Sequence, residues 1–407
     1  MTPDLASPLR LPCGTSIRNR FMKSAMSECL AAPSCDPNEG HATLYGTWAR
    51  GGVGLQVTGN VMVDRTALGE PGNVALDAAS DPAPFARWAE AGRADGAHVW
   101  MQLNHPGKQS PSVLSREPVA PSAVPYTSEL KLAFNPPRAL TDGEVEGVVE
   151  RFAYAAGRAK EFGFTGVQIH GAHGYLVSQF LSPRHNVRED RWGGSAENRR
   201  RFVLEVYRAI RARVGAEFPV GIKLNSADFQ RGGFTEDESM AVVDALAAEG
   251  MDLIEISGGT YEAPAMTGAM KDSTRAREAY FLAFAEKVRA RTTAPLAVTG
   301  GFRSGPAMRE ALAGGAIDMV GLARTLAVWP DLPARILRDP TTAVTLPRVT
   351  TGVSVVDRAM TLDVTWYEAQ LARLARGEPS APELSPWRVV AGNVRRMGAA
   401  AFRQRRA

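Results

Sequence analysis

The chain has 407 residues, 44% of them hydrophobic and 22% charged, and its formal net charge at pH 7 is +4. This length allows one large domain or two ordinary ones, and this composition is typical of a globular protein with a sizeable core. The three cysteines form no C-x-x-C pair, which argues against a zinc ribbon, an iron–sulfur cluster or a disulfide-stabilised secreted scaffold.

The N-terminal segment, MTPDLASPLRLP, differs from a signal peptide, because it carries an acid and prolines where basic and then apolar residues are expected. No apolar run in the sequence is long enough to span a membrane. We therefore expect a cytoplasmic protein without a membrane span.

Strands and helices are predicted to alternate along most of the chain. A small N-terminal hairpin at 9–21, with Gly14 and Asn19 between apolar positions, could close one end of a barrel. Strands are predicted at 21–26, 54–58, 99–103, 166–170, 219–224, 252–257, 295–299 and 318–322. Helices are predicted at 40–50, 82–96, 142–162, 195–213, 236–249, 276–291 and 306–313, and a long loop at 104–139. Eight such units predict an α/β fold, a (β/α)8 TIM barrel, with an open doubly wound sheet as the alternative.

Residues 340–407 lie beyond these units and are predicted to form a C-terminal helical extension, packed on or trailing from a barrel domain at 1–339. Apolar residues at helical spacing indicate one helix around 362–374 and another around 390–401. The last twenty residues contain six arginines and no acid. We interpret these arginines as solvated, with contact to a membrane surface or an acidic partner as the alternative. The rest of the chain is near neutral, so no nucleic-acid partner is expected.

The segment GVQIHGAHGYLVSQ, residues 166–179, places two histidines and a tyrosine at the end of a buried strand. His170 and His173 could converge on one oxygen and donate hydrogen bonds to it, and Tyr175 could supply a proton. This set suits a reaction in which negative charge develops on a carbonyl oxygen. The alternatives are half of a metal site or two structural histidines.

Polar residues and glycines recur at the carboxyl ends of the predicted strands, where the chemistry of a TIM barrel is located. They are Ser24, Ser27, Asn60, Gln102, His170, His173, Lys223, Gly300, Gly301 and Arg324. The Gly300–Gly301 pair and the Ala323–Arg324 step precede helices, so backbone N–H groups, helix dipoles and a guanidinium could together bind a phosphate.

Two of these side chains indicate what else the ligand contains. Gln102 suits a ring with alternating C=O and N–H groups. Lys223 lies in an apolar strand and needs a negative partner, which could also be a core acid such as Glu255. Flavin mononucleotide (FMN) meets these requirements together, since it has one phosphate, a pyrimidine ring and a negatively charged reduced form. No G-x-G-x-x-G follows an early strand, so a Rossmann domain is not predicted.

Seven stretches between residues 5 and 335 carry a family resemblance: IRNRFMKSAMSE, GGVGLQVTGNVMV, VWMQLNHPGKQ, FGFTGVQIHGAHGYLVSQFLSPRHNVREDRWGGSAENRRRF, VGIKLNSADF, VTGGFRS and MVGLARTL. Through them the chain resembles the Old Yellow Enzyme family of FMN-dependent NAD(P)H:flavin oxidoreductases and ene-reductases. The resemblance implies tightly but non-covalently bound FMN, and NAD(P)H as a transient hydride donor. It also implies the single-barrel form, because the chain lacks the cysteine cluster and dinucleotide domains of the dienoyl-CoA reductase branch.

The resemblance also implies roles for single residues. Those implied to bind the cofactor are Ser24, Ala25, Met26, Ser27, Asn60, Gln102, Lys223, Gly300, Gly301, Ala323 and Arg324. His170 and His173 match a pair that binds the carbonyl oxygen of the substrate, and relatives have His or Asn there. Tyr175 matches the proton donor. Cys29 stands where some relatives have a substrate-contacting tyrosine, and is therefore expected to contact the substrate.

The expected reaction has two half-reactions with ping-pong kinetics. Hydride passes from NAD(P)H to flavin N5, and then to the β-carbon of an α,β-unsaturated carbonyl compound. The expected partner is thus a small enone or a similar activated alkene, and a homo-oligomer is compatible with the sequence. Two other functions remain open: a metal-dependent barrel hydrolase using His170 and His173, and a flavin-binding redox sensor without alkene turnover, using Ser27 and Cys29.

Overall fold

Eight parallel strands form a closed barrel. The structure is a computed structural model that describes residues 4–127, 129–258 and 281–404, with the backbone alone at 129 and 396–404. The barrel strands are β1 Phe21–Lys23, β2 Leu55–Met62, β3 His98–Asn104, β4 Gly166–Gly171, β5 Val220–Asn225, β6 Leu253–Ser257, β7 Leu296–Thr299 and β8 Met319–Leu322. Strand β1 pairs with both β2 and β8, which closes the barrel. The predicted TIM barrel is confirmed, and the open doubly wound sheet is wrong.

The barrel strands are buried on both faces, between the barrel interior and the surrounding helices. Strands β4, β5 and β6 (GVQIHG, VGIKLN and LIEIS) have no exposed residue. Near-continuous apolar character is typical of parallel strands covered on both sides. The few polar residues within these strands therefore lie in a largely apolar interior, where each needs a hydrogen-bond partner.

The described helices surround the barrel, and several of them begin at a residue whose side chain caps the helix. They are Glu39–Arg50, Pro82–Gly92, Asp142–Glu161, Leu176–Leu181, Ala196–Val214, Glu236–Ala248, Leu282–Arg289, Gly305–Ala313, Arg324–Val328, Leu332–Arg338, Ser354–Ala359, Leu362–Ala375 and Pro386–Gln404. The predicted cap Ser195 accepts a hydrogen bond from the backbone N–H of Asn198. Residues 276–280, the start of one predicted helix, lie outside the described residues. Within the described ranges, no helix has both the length and the apolar character needed to cross a membrane.

Two predicted elements extend further than the observed ones. The helix predicted at 82–96 ends at Gly92, and soon afterwards Asp95 has a left-handed backbone with φ +52°. The first barrel strand ends at Lys23, because its neighbour β8 ends at the paired residue Leu322. The chain from Ser24 onward is therefore irregular and can follow the carboxyl end of the barrel.

The predicted hairpin is present at the amino-terminal end of the barrel. Its strands, Leu9–Arg10 and Ser16–Ile17, pair antiparallel. Leu9 and Ile17 are buried in a small apolar cluster with Trp100 from β3 and other residues of the barrel strands. The hairpin thus closes the end of the barrel opposite to the one predicted to carry the chemistry.

The described part of the C-terminal extension packs on the barrel. Helix Leu362–Ala375 contacts helix Glu39–Arg50, and Trp366 and Leu371 are buried in the main apolar cluster. The indole Nε1 of Trp366 donates a hydrogen bond of 2.9 Å to the carbonyl of Leu384, which links this helix to the segment that follows it. The division between a barrel domain at 1–339 and an extension stays a prediction.

Candidate active site

A cavity of about 270 Å³ opens at the carboxyl ends of the barrel strands. Most of the predicted site residues line it: Ala25, Met26, Ser27, Asn60, Gln102, His170, His173, Tyr175, Lys223, Gly300, Gly301, Ala323 and Arg324. Two predicted residues lie outside its lining. Ser24 is fully buried, with its Oγ 2.6 Å from Thr299 Oγ1, and Cys29 lies behind the wall of the cavity.

His170 and His173 lie side by side with their ring centroids 5.2 Å apart. The backbone N–H of Ala172 donates to His170 Nδ1 over 3.3 Å, so a neutral His170 carries its proton on Nε2. Burial, and then the nearby charges of His173 and Lys223, hold the pKa of His170 well below its usual range. Burial and Lys223 lower the pKa of His173 in the same way. Both imidazoles are therefore neutral at neutral pH.

The turn after β4 fixes the second histidine. His173 has a left-handed backbone with φ +62° and is followed by Gly174 with φ +79°. Such a conformation is uncommon for a residue with a side chain, and the surrounding structure must hold it. The backbone N–H of His173 donates to Asn225 Oδ1 over 3.2 Å, and its Nε2 lies 2.8 Å from Ser257 Oγ. Side chains from β5 and β6 thus position this imidazole.

Tyr175 faces the histidines from the same turn, with its ring centroid 4.8 Å from that of His170. Asn60 Nδ2 donates a hydrogen bond of 3.3 Å to the Tyr175 hydroxyl oxygen. A β-bulge brings Asn60 to this place, since β2 has one extra residue between the pairs Val57↔Trp100 and Asn60↔Gln102. The expected contact of Asn60 with the cofactor stays a prediction, and the structure places its side chain on Tyr175.

The opposite part of the cavity contains the glycines and the arginine that were predicted to bind a phosphate. Gly301 has φ +81°, which favours glycine. Arg324 lies with its guanidinium carbon 6.0 Å from the ring centroid of Tyr367, a residue of the C-terminal extension. Gly321 of β8 is paired with Thr299 of β7 and has no room for a side chain, because a Cβ there would lie 1.9 Å from Thr299 Oγ1.

Two buried polar side chains lie at the base of the cavity. Lys223 Nζ is 3.1 Å from a carboxylate oxygen of Glu255, so the core acid considered from the sequence is its partner. Gln102 is fully buried, and its Oε1 accepts no hydrogen bond from any residue that the structure describes. A buried carbonyl of this kind calls for an N–H or O–H donor on a ligand.

Cys29 is separated from the cavity by two carboxylates that line it. Its Sγ lies 3.7 Å from Glu70 Oε2 and 3.7 Å from Glu368 Oε1, and the Ser27 hydroxyl donates to Glu70. The expected contact of Cys29 with a substrate therefore stays a prediction.

A metal centre on the histidine pair finds no support in the described ranges. The single group there that brings three or more possible ligand atoms together is Cys29, Glu70 and Glu368, with these atoms within 4.8 Å of one another. His170 and His173 belong to no such group. The hydrolase alternative would need at least a third protein ligand beside them.

Several cavity residues were not identified from the sequence: Glu70, Ser257, Phe281, Thr299, Phe302, Asp363, Tyr367 and Glu368. Ser257 and Thr299 are the last residues of β6 and β7, so the rule that located the other strand ends would have found them. Asp363, Tyr367 and Glu368 come from the C-terminal extension, and no sequence signal placed its helix over the cavity.

Comparisons of sequence and of structure each find known proteins that are similar to this chain. The sequence profile of the NADH:flavin oxidoreductase / NADH oxidase family matches residues 4–341. The chain is 39% identical over 354 residues to the NADH-dependent flavin oxidoreductase iliE of Hypocrea jecorina (strain QM6a), covering 81% of this chain and 88% of that protein. Its structure is similar to morphinone reductase, with a TM-score of 0.71 and 28% identity over 85% of this chain and 92% of that one. The old yellow enzyme homologue of Zymomonas mobilis shares the fold, with a TM-score of 0.71 and 24% identity over 84% of this chain and 95% of that one.

Proposed function

Because the chain belongs to the NADH:flavin oxidoreductase / NADH oxidase family, we propose that it reduces activated C=C bonds of α,β-unsaturated carbonyl compounds with NAD(P)H and bound FMN. Membership of this family makes the protein an oxidoreductase, and it confirms the resemblance to Old Yellow Enzyme. The observation that carries the finer proposal is the group formed by His170, His173 and Tyr175 at one cavity wall. These side chains offer hydrogen-bond donors and a phenol, which are the groups needed to polarise and protonate an enone.

The cavity residues fit FMN held tightly and without a covalent bond. The Gln102 carbonyl has no hydrogen-bond partner among the described residues and suits the ring N–H of the flavin, and Lys223 is a cation that also lines the cavity. Gly300, Gly301 and Arg324 suit its single phosphate. When bound there, FMN would supply the hydride chemistry, accepting hydride from NAD(P)H and passing it to the alkene.

The two histidines bind the carbonyl oxygen of the substrate. His170 carries its proton on Nε2 and can donate it in a hydrogen bond as negative charge develops on that oxygen. Because the imidazoles are neutral, they stabilise this charge by hydrogen bonding and do not hand over a full proton to the oxygen. Ser257 keeps the His173 ring in place from the side.

Tyr175 is the proton donor to the α-carbon. Its hydroxyl lies in the cavity beside the histidines, and it accepts a hydrogen bond from the Asn60 amide. An amide donor on a phenol oxygen stabilises the negative charge left when the phenol gives up its proton. Asn60 therefore both orients the hydroxyl and assists proton transfer.

The Asn60→Ala variant is expected to reduce enone turnover by roughly two- to tenfold, the effect of losing one hydrogen bond in the reacting geometry. Single-turnover oxidation of the reduced enzyme by cyclohexenone measures this step. Flavin reduction by NADH serves as the internal control and should be unchanged. An equal loss in both half-reactions would show that Asn60 acts on the cofactor and not on Tyr175.

The whole proposal is tested by the visible absorption spectrum of the purified protein. We expect a bound-flavin spectrum that bleaches with anaerobic NADH or NADPH and returns when cyclohexenone is added. Recovery with oxygen alone would favour the redox-sensor alternative. A protein that contains no flavin and cannot be reconstituted with FMN would contradict the cofactor assignment. In steady state, intersecting double-reciprocal lines would contradict a ping-pong mechanism.

A further inference from the structure

The buried carboxylate of Glu255 binds polar side chains from three strands of the barrel. Glu255 on β6 is fully buried and accepts hydrogen bonds from Gln168 Nε2 at 2.8 Å and Thr299 Oγ1 at 2.7 Å. It also forms an ion pair of 3.1 Å with Lys223. Three donors from β4, β5 and β7 thus converge on the two oxygens of one side chain, which is a nearly complete set for a carboxylate.

This carboxylate sets the direction of a chain of hydrogen bonds that ends at the cavity. A carboxylate can only accept, so Gln168 must turn its NH₂ group toward Glu255 and its carbonyl toward Gln102. Gln102 Nε2 donates to that carbonyl over 2.7 Å. The carbonyl of Gln102 is consequently the group left for the cavity, and it is the one without a partner in the part of the chain that the structure describes.

We propose that Glu255 and Gln168 are positioning residues for cofactor recognition, because they fix the Gln102 amide with its carbonyl toward the cavity and so select a ring edge that carries an N–H donor. The inference rests on the proposed function, in which that ring is the flavin of FMN. Neither Glu255 nor Gln168 lines the cavity, and the hydrogen bonds from Gln168 to Glu255 and from Gln102 to Gln168 connect both of them to Gln102, which does.

The strand register of the barrel holds this chain in place. Gln102 and Gln168 are directly paired residues of β3 and β4, and Lys223 and Glu255 are paired residues of β5 and β6. All four side chains are buried, in strands that the barrel keeps in register. The residues that select an N–H donor on the ligand ring therefore lie in the barrel strands, and this selection does not depend on closure of a loop.

The substitution Glu255→Gln should reverse the direction of the hydrogen bonds that run from Gln102 through Gln168 to residue 255. The new amide would keep its oxygen where Lys223 and Thr299 both donate, and would turn its NH₂ group toward Gln168. Gln168 and then Gln102 would each flip, and Gln102 would present a donor to the ring N–H. We expect the dissociation constant for FMN to rise about tenfold or more, because an acceptor is lost and two donors face each other. Titration of FMN with the flavin-free protein, followed by quenching of flavin fluorescence, measures this constant.

A double-mutant cycle with Gln168→Met tests whether Glu255 affects FMN binding through the hydrogen bonds to Gln102 or through the charge on Lys223. Gln168→Met alone should weaken FMN binding severalfold, because the Gln102 amide is no longer oriented. In that background Glu255→Gln should have little further effect, since the route to Gln102 is interrupted. If Glu255→Gln weakens FMN binding equally in both backgrounds, it acts through Lys223 and the proposal is overturned.

Two controls make each outcome decisive. Gln56→Met removes another buried glutamine, one whose Nε2 donates to the Gly92 carbonyl outside this chain, and it should leave the FMN dissociation constant unchanged. If the Glu255→Gln variant does not fold, the FMN dissociation constant of the Gln168→Met variant tests the proposal by itself. Unaltered FMN affinity in that variant refutes the proposal. Failure of the unsubstituted protein to bind FMN would instead refute the proposed function.

Discussion

The Tyr175→Phe variant is expected to reduce enones about 10²- to 10⁴-fold more slowly while accepting hydride from NADH at nearly the normal rate. The phenol is the group in the described wall that we assign to protonation of the α-carbon, and its ring is 4.8 Å from that of His170. Phenylalanine keeps the ring and its packing, while the proton of the hydroxyl and the hydrogen bond from Asn60 are lost. Stopped-flow measurement of the two half-reactions separates the effects.

A second tyrosine provides a matched control for this change. Tyr207 lies on the outer helix Ala196–Val214, where its hydroxyl donates to the Glu249 carbonyl over 3.0 Å. Tyr207→Phe should leave both half-reactions unchanged. If Tyr175→Phe slowed both half-reactions by the same factor, the tyrosine would be a structural or cofactor-binding residue, and its role as proton donor would have to be abandoned.

The second large effect is expected at His170. Replacing it with Leu should slow enone reduction by about 10²- to 10³-fold, since one donor to the developing oxyanion is removed from a buried site. The KM for the enone should rise as well, because the same hydrogen bond holds the carbonyl before reaction. Rates measured with saturating cyclohexenone after anaerobic reduction of the flavin report this loss.

Two further variants test whether the loss of enone reduction is specific to the hydrogen-bond donors in the cavity. His98→Leu makes the same substitution at the amino-terminal end of β3, away from the cavity, and should be silent. His173→Asn retains a donor of the kind implied for some relatives, and should keep most of the activity.

Because the pKa of both cavity histidines lies well below its usual range, the wild-type rate should not fall as the pH is lowered from about 8 to about 6. A fall with the titration of an ordinary histidine would contradict the neutral assignment.

The barrel could be predicted because each of its strands has a recognisable local sequence pattern. Each is a short apolar run followed by glycines or polar residues, and eight such runs alternating with helical patterns leave few other folds. The same pattern located most of the cavity, since the carboxyl ends of parallel strands meet on one side of a barrel. His170, Lys223 and Arg324, far apart in the sequence, were brought to one cavity by this rule alone.

The remaining features depend on tertiary contacts that a single sequence does not encode locally. The β-bulge that turns Asn60 toward Tyr175 is a matter of register between β2 and β3. The contacts of Cys29 with Glu70 and Glu368 join distant parts of the chain, and no local pattern predicts them. Periodicity predicted helix Leu362–Ala375, yet not the surface that it covers, because an amphipathic pattern identifies a buried face and not its partner.

Because of the position of that helix, the cavity is lined by two groups of residues that are held in place differently. The reacting groups stand on β4 and on the turn that follows it, and the register of this strand cannot shift without disturbing the whole barrel. Asp363, Tyr367 and Glu368 instead come from a helix that is held by side-chain packing and lies beyond residue 341, where the match to the family profile ends. Substitutions there can accumulate without altering any strand pairing. The reacting groups and this part of the cavity lining can therefore diverge at different rates among proteins that share this barrel.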